Sequence, residues 1–261
     1  MRALILILLC LVPLALPAAG RLDAIHARGM LRVAVKNQGS LNRVEHNDPA
    51  HFQKRGFELD LAGAIARKVL GDPAKLDLKM FKRRQRLPAV ADGTVDLGIA
   101  MFAVNDEDRR LVDFSHPYYE GGLAVVQKSK STVSRYADLK GMRIAALDEK
   151  MSDPGGTLQA LAAIHGAKIK VSRYQSFDAA VQAVESGEAD ALVSMNANLD
   201  AYITDGHGDL KRSPLLSHER YAVAVPKGNP DLLAAVNAVI DGLKQSGQLD
   251  AMIRHWKLST Q

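Results

Sequence analysis

The stretch Asp113-Phe114-Ser115-His116-Pro117-Tyr118-Tyr119-Glu120-Gly121-Gly122 constrains the fold most, because it lies between two apolar, strand-like runs at residues 95–100 and 123–126. Pro117 fixes its own φ and biases His116 toward extended geometry. The two tyrosines offer flat amphipathic surface, and the two glycines permit turns closed to other residues. The segment therefore reads as a crossing between two lobes, suited to a hinge beside a ligand cleft.

Composition is compatible with two such lobes. The 261 residues are 47% hydrophobic and 24% charged, enough to bury one large core or two lobes of about 100 residues each, and this excludes a disordered chain. The net charge of +5 favours anionic partners or surfaces without requiring nucleic acid.

The amino terminus reads as an export signal. Met1 and Arg2 give a short positive region, residues 3–16 an apolar run, and Pro17-Ala18-Ala19-Gly20 a small-residue cleavage region. Residues 1–20 are thus expected to be removed, leaving a periplasmic chain. An uncleaved membrane anchor is the other reading, although residues 3–19 are at the short limit for spanning. Cys10, the single cysteine, follows Leu8-Leu9 where a lipid-attachment box needs small residues. Lipidation is therefore not expected, and the mature chain has no disulfide.

Beyond residue 20, helical and strand patterns alternate, which argues for an α/β fold. A short helix at 22–28 stopped by Gly29 precedes a strand at 31–35; a polar loop runs to Gly56. A helix with its apolar face on Phe57, Leu59, Leu61, Ala62, Ile65, Ala66 and Val69 follows, then a strand at 76–81, a short helix at 87–91 and a strand at 95–100. After the crossing come strands at 143–147, 169–171 and 189–194 with helices at 158–165 and 177–186. Tyr221 to Val225 returns the chain, and helices from Pro230 and Gly247 close it. The expected division is lobe 1 at 21–119, lobe 2 at 120–224, and lobe 1 again at 225–261.

Ligands in open α/β sheets collect beyond the carboxyl ends of the strands. Five segments meet that condition: Lys36-Asn37-Gln38-Gly39, Lys82-Arg83-Arg84-Gln85-Arg86, residues 101–105 ending in Asn105, Asp153-Pro154-Gly155-Gly156-Thr157, and Met195-Asn196-Ala197-Asn198. In the Gly155-Gly156-Thr157 run, glycines let backbone N–H groups point at an anion, and the helix start carries partial positive charge. Thr157 can equally cap the helix with no ligand present. The basic run at 82–86 is either solvated surface or a device that steers or holds an anionic solute. His46 and His51 are too loosely spaced for a metal site, and no cofactor is expected.

The crossing block with its surroundings, from about Leu22 to Trp256, resembles the family 3 solute-binding proteins of bacterial ABC transporters, which capture polar amino acids in the periplasm. The resemblance implies an α/β, two-lobed periplasmic binding protein fold of type II with two crossings between lobes. It also implies hinge closure on a small-molecule solute and an ABC permease as partner. In this family a Gly-Gly-Thr like Gly155-Gly156-Thr157 helps hold a ligand carboxylate, and Arg86 matches an arginine of glutamate-type relatives. The family's carboxylate-clamping arginine falls on Asp108, with Arg109 one place away. Its ammonium-binding aspartate falls on Met195, and its aromatic platform is replaced by Gln38-Gly39-Ser40-Leu41. An aspartate cannot clamp a carboxylate as a bidentate arginine does. Either the solute is not a standard α-amino acid, or it is held differently, or binding has been lost.

The candidate ligand contacts are Gln38, Arg86, Asn105, Arg109, Gly156, Thr157 and Asn196. The expected function is a monomeric periplasmic receptor for a small polar, anionic solute. A periplasmic accessory or sensor partner with the same fold is the alternative. Familiar catalytic motifs are missing. Cyclohexadienyl dehydratase, an exported enzyme of this fold, has an Asn-Pro-Gly-Gly-Thr resembling residues 153–157, but Asn198 stands where its catalytic glutamate would be. No catalytic residue and no nucleic-acid partner are expected.

Overall fold

The computed structural model describes residues 20–36, 43–44, 54–148, 153–203 and 209–258. Residues 1–19 of the expected export signal, together with Gln38, His46 and His51, lie outside them.

The chain opens with α1 (Arg21–Arg28), β1 (Leu31–Val35), the two short strands β2 (Arg43–Val44) and β3 (Lys54–Arg55), α2 (Phe57–Leu70), β4 (Leu76–Met80), α3 (Arg83–Ala91) and β5 (Leu97–Ala103). A 3-10 turn at Asp108–Arg110 leads to β6 (Val112–Gly121). The middle section comprises β7 (Leu123–Lys128), β8 (Arg143–Leu147), α4 (Pro154–Ile164), β9 (Lys170–Tyr174), α5 (Phe177–Ser186), β10 (Ala191–Met195), α6 (Asn196–Ile203) and β11 (Leu210–Arg212). The chain closes with β12 (Glu219–Pro226), α7 (Pro230–Gln245) and α8 (Gln248–His255).

Two five-stranded sheets result, one ordered β4-β1-β5-β12-β6 and the other β11-β7-β10-β8-β9. In the first, β4, β1 and β5 are parallel and β12 runs antiparallel to both β5 and β6. In the second, β10, β8 and β9 are parallel, with β7 antiparallel to β10 and β11 antiparallel to β7.

Strand alternation decides what each face buries. Val33, Val35, Leu97, Ile99, Val223 and Val225 join one core with residues of α1, α2, α7 and α8, whereas Ala34, Ala100, Ala222 and Ala224 face a second core with Ala89 and Val90 of α3. In the other lobe, Leu123, Val125 and Ile144 pack with Leu158 of α4, and Ala124, Val126 and Ala145 with Val181 and Val184 of α5. Each sheet is thus covered on both faces, as parallel strands require. Each fully buried aliphatic side chain contributes roughly 1.5–3 kcal/mol relative to exposure. The α/β, two-lobed architecture is the one the residue pattern indicated, and its two crossings are those the resemblance implied.

Several details differ from the sequence expectation. The helix expected at 87–91 begins earlier, inside the basic run: Lys82 is the N-cap of α3 and Arg83 its first residue. Cations at a helix start oppose its dipole, so the packing of Leu87, Ala89 and Val90 against the sheet must hold this helix in place. Residues 196–198 begin α6, a helix not among those expected, and β11 is an additional edge strand. The division points drawn at 119/120 and 224/225 fall within β6 and β12, both strands of the first sheet; the sheet changes at Gly122 and again between Arg212 and Glu219.

Candidate functional site

Strand directions locate the cleft. Because β5 and β6 both run antiparallel to β12, β6 leaves the first sheet at the edge where β5 ends. Leu123 then enters the second sheet opposite Met195, the last residue of β10. The return obeys the same geometry, since β12 begins at Glu219 opposite Gly121. The carboxyl edges of both sheets are therefore joined by the two crossings, which is where a ligand between α/β sheets is bound.

The crossings themselves are tightly built. Leu216 donates its amide to the Leu123 carbonyl at 2.6 Å, and the Leu123 amide donates to Ser217 Oγ at 2.9 Å. A Cβ on Gly122 would stand 1.8 Å from the Ser217 carbonyl oxygen, so only glycine allows the two segments this approach. Asn196, at the start of α6, is completely buried. Its backbone amide donates to the Gly122 carbonyl at 2.8 Å, its Oδ1 accepts the Gly122 amide at 3.1 Å, and its Nδ2 donates to the Tyr119 hydroxyl at 2.9 Å. Tyr119 stacks on Tyr221 with ring centroids 6.0 Å apart and meets the edge of Phe57 at 5.9 Å. Burial pushes the Tyr119 hydroxyl well above the usual tyrosine range, so it stays protonated at neutral pH.

The second lobe supports this junction with a largely buried ion pair, Arg212 Nε to Asp200 Oδ1 at 2.8 Å. Met195, where the resemblance implies an ammonium-binding aspartate, packs its apolar side chain against cores of both lobes. Asn198 donates to Ser194 Oγ at 3.2 Å.

The sequence-derived candidates separate into three groups. Arg86 and Asn105 lie just past β4 and β5, on the cleft edge of the first lobe. Arg86 is partly buried and its Nε donates to the Phe81 carbonyl at 3.1 Å. Asn105 caps the Asp108–Arg110 turn: its Oδ1 accepts the Asp108 amide at 2.9 Å while its Nδ2 donates to the Asp108 carboxylate at 2.7 Å. Arg109 sits exposed on that turn.

Gly156 and Thr157 lie on the cleft edge of the second lobe, in the first turn of α4, and their amides already have partners. Asp153, not Thr157, caps this helix, its Oδ1 accepting the Gly156 amide at 2.8 Å, while the Thr157 amide donates to the Asp153 carbonyl at 2.9 Å. Arg173 holds the same carboxylate in a two-pronged pair at 2.7 and 2.9 Å. The Arg173 pair and the Gly156 amide hold the Asp153 carboxyl below its ordinary value. The place expected to receive a solute carboxylate thus receives the chain's own. Asn196, the third group, belongs to the crossing.

Sequence reasoning passed over Glu58, which meets Tyr118 of the crossing segment and Met101 of the 101–105 segment. An acid in a first helical turn is ordinarily read as a solvated dipole partner, yet Glu58 is fully buried. Among the described residues no three His, Cys, Asp or Glu side chains gather as a metal site, and no helix is long and apolar enough to cross a membrane.

Known proteins share both sequence and architecture. Residues 31–259 match the model of the bacterial extracellular solute-binding proteins, family 3. The chain is 28% identical over 210 residues to the ABC transporter glutamine-binding protein GlnH of Bacillus subtilis, spanning 80% of this chain and 75% of that one. It is also 28% identical over 240 residues to the L-cystine-binding protein TcyJ of Escherichia coli K12, spanning 91% and 86%. The crystal structure of an ancestral amino-acid-binding protein, described as a precursor of cyclohexadienyl dehydratase, superimposes with a TM-score of 0.67 at 26% identity, covering 92% of this chain and 100% of that one. With its double crossing and paired carboxyl edges, the chain belongs to the bacterial extracellular solute-binding proteins, family 3.

Proposed function

We propose that this protein is the periplasmic receptor of an ABC-type uptake system for a polar amino acid or closely related solute, closing its lobes on the solute and presenting it to an inner-membrane permease. The observation that carries this reading is the junction of both carboxyl edges at one double crossing. A solute there touches both lobes only when they close, so its binding shifts the population toward the closed form. Relatives that bind glutamine and L-cystine support the amino-acid class.

Arg86 is the proposed contact for an acidic group on the solute, since it stands on the cleft edge and an arginine fork suits a carboxylate. With Asp153 on the Gly156 amide, recognition of that group rests on the first lobe. Calorimetric titration with L-glutamine, L-cystine and L-glutamate tests the reading. Micromolar or tighter binding of one of them is expected; no binding by any favours the accessory or sensor role, a reading that draws on Asp108 and Met195 at the two charge positions.

A further inference from the structure

Glu58, the second residue of α2, is completely buried beside Phe57 and Leu59. A buried carboxylate persists only where hydrogen bonds replace its water. Its Oε1 accepts the Met101 amide at 2.7 Å and the Tyr118 hydroxyl. These donors come from the end of β5 and from β6, the strand that becomes the first crossing. Burial, and after it the Glu58 charge, pushes the Tyr118 hydroxyl far above the usual tyrosine range, so it remains a proton donor.

Met101 is an unusual residue to find on that amide. Its φ is 53°, and among the described residues only Lys257 shares a positive φ without being glycine. A methionine takes this left-handed conformation only against steric opposition. The strand ladder is interrupted at the same place. β5 pairs with β12 at Gly98 and again at Phe102, with the register shifting between Ala224 and Ala222, and its pairing with β1 stops at Ile99. Such a bulge bends a strand and re-aims the backbone beyond it. Here it lies on the carboxyl edge that faces the cleft, and strain of this kind survives only where neighbouring groups enforce it.

We propose that Glu58 is a positioning residue of the cleft, holding the Met101 peptide in the left-handed bulge within β5 and so setting the backbone a solute meets. This rests on the reading of the carboxyl edges as the solute site. The carboxylate acts through Met101, and the tie to Tyr118 couples that bulge to the strand entering the hinge.

The test compares the wild type with Glu58→Gln, which preserves size while replacing a charged acceptor with a neutral one, and with Glu58→Gln combined with Met101→Gly. In the wild type, the Met101 amide is expected to exchange slowly and its NMR coupling to report positive φ. In Glu58→Gln, exchange of that amide should be about tenfold faster and the coupling should move toward extended values. Binding of L-glutamine, L-cystine or L-glutamate, whichever the wild type holds best, should weaken about tenfold. Glycine adopts a positive φ freely, so adding Met101→Gly should restore affinity to within about threefold of wild type. A packing role for Glu58 alone gives no such rescue. Unchanged Met101 exchange and coupling in Glu58→Gln, or lost affinity that Met101→Gly leaves unrestored, overturns the proposal. Absence of binding to the wild type refutes the functional reading separately, while the exchange and coupling measurements still decide the role of Glu58.

Discussion

Asn196 grips Gly122 from both sides: its amide donates to the Gly122 carbonyl at 2.8 Å, and its side-chain oxygen accepts the Gly122 amide at 3.1 Å. The strand that leaves one sheet is thereby fastened to the first residue of a helix in the other lobe. The side-chain Nδ2 of Asn196 donates to the Tyr119 hydroxyl, so one side chain ties the hinge peptide to the aromatic cluster beneath it.

Asn196→Ala should loosen this junction. It removes the side-chain acceptor of the buried Gly122 amide, at about 1–3 kcal/mol for a group left unsatisfied, and takes one hydrogen bond from the Tyr119 hydroxyl. Urea unfolding should show a loss in that range, and small-angle scattering a broader spread of lobe separations. Wild-type stability and scattering in the variant would show that the grip holds nothing.

Gly122→Ala should be worse than its one added carbon suggests, because that carbon would lie 1.8 Å from the Ser217 carbonyl oxygen, a backbone atom of the returning crossing. The two crossings must separate, breaking the Leu216 and Leu123 hydrogen bonds that join them. Overpacking against backbone should cost about 3 kcal/mol, read as a lowered unfolding midpoint. A fully stable variant would mean that the crossings move apart readily.

Much of the architecture was legible because the deciding signals are local. The strand at 31–35 and the helix at 177–186 match their expected limits, each bounded by alternation and by glycine. The start of α3 was less legible because the charges of the basic run conceal the apolar side of the helix, which only the sheet beneath it makes meaningful. The site was less legible, since its decisive contacts are long-range. Asp153-Pro154 has the form of a helix start, yet the Arg173 that pins its carboxylate is 20 residues away. Nothing near Glu58 announces that its partners are 43 and 60 residues distant. Asn196, chosen for its place after a strand, reaches back 74 residues to the hinge.

The Asp153 pair should appear in the pH dependence of stability. The Arg173 side chain first, then the Gly156 amide, hold the folded carboxyl below its ordinary value. The sign follows: the contribution is complete above the unfolded carboxyl value of about 3.9 and is lost as pH falls through the lower folded value. Asp153→Asn keeps a helix-capping oxygen but removes the charge. The variant should be less stable at pH 7 by no more than about 1 kcal/mol, because the pair is half exposed. That difference should vanish in strong acid and shrink in high salt. A difference that persists in strong acid would assign the effect to shape rather than charge.

Arg86 and Arg84 lie two residues apart in α3, one partly buried and turned toward the Phe81 carbonyl, the other exposed. If Arg86 meets an acidic group on the solute, Arg86→Ala removes a charged hydrogen bond inside a closed cleft, worth about 1.5–3 kcal/mol, or roughly 10- to 150-fold in affinity. Arg84→Ala should leave affinity within about twofold and reduce only the salt dependence of association, as expected of a charge acting through solvent. Calorimetry with L-glutamate, beside stopped-flow association at two salt concentrations, separates the two roles. Wild-type affinity in Arg86→Ala would reduce the whole basic turn to solvated surface and move acidic-group recognition elsewhere in the cleft.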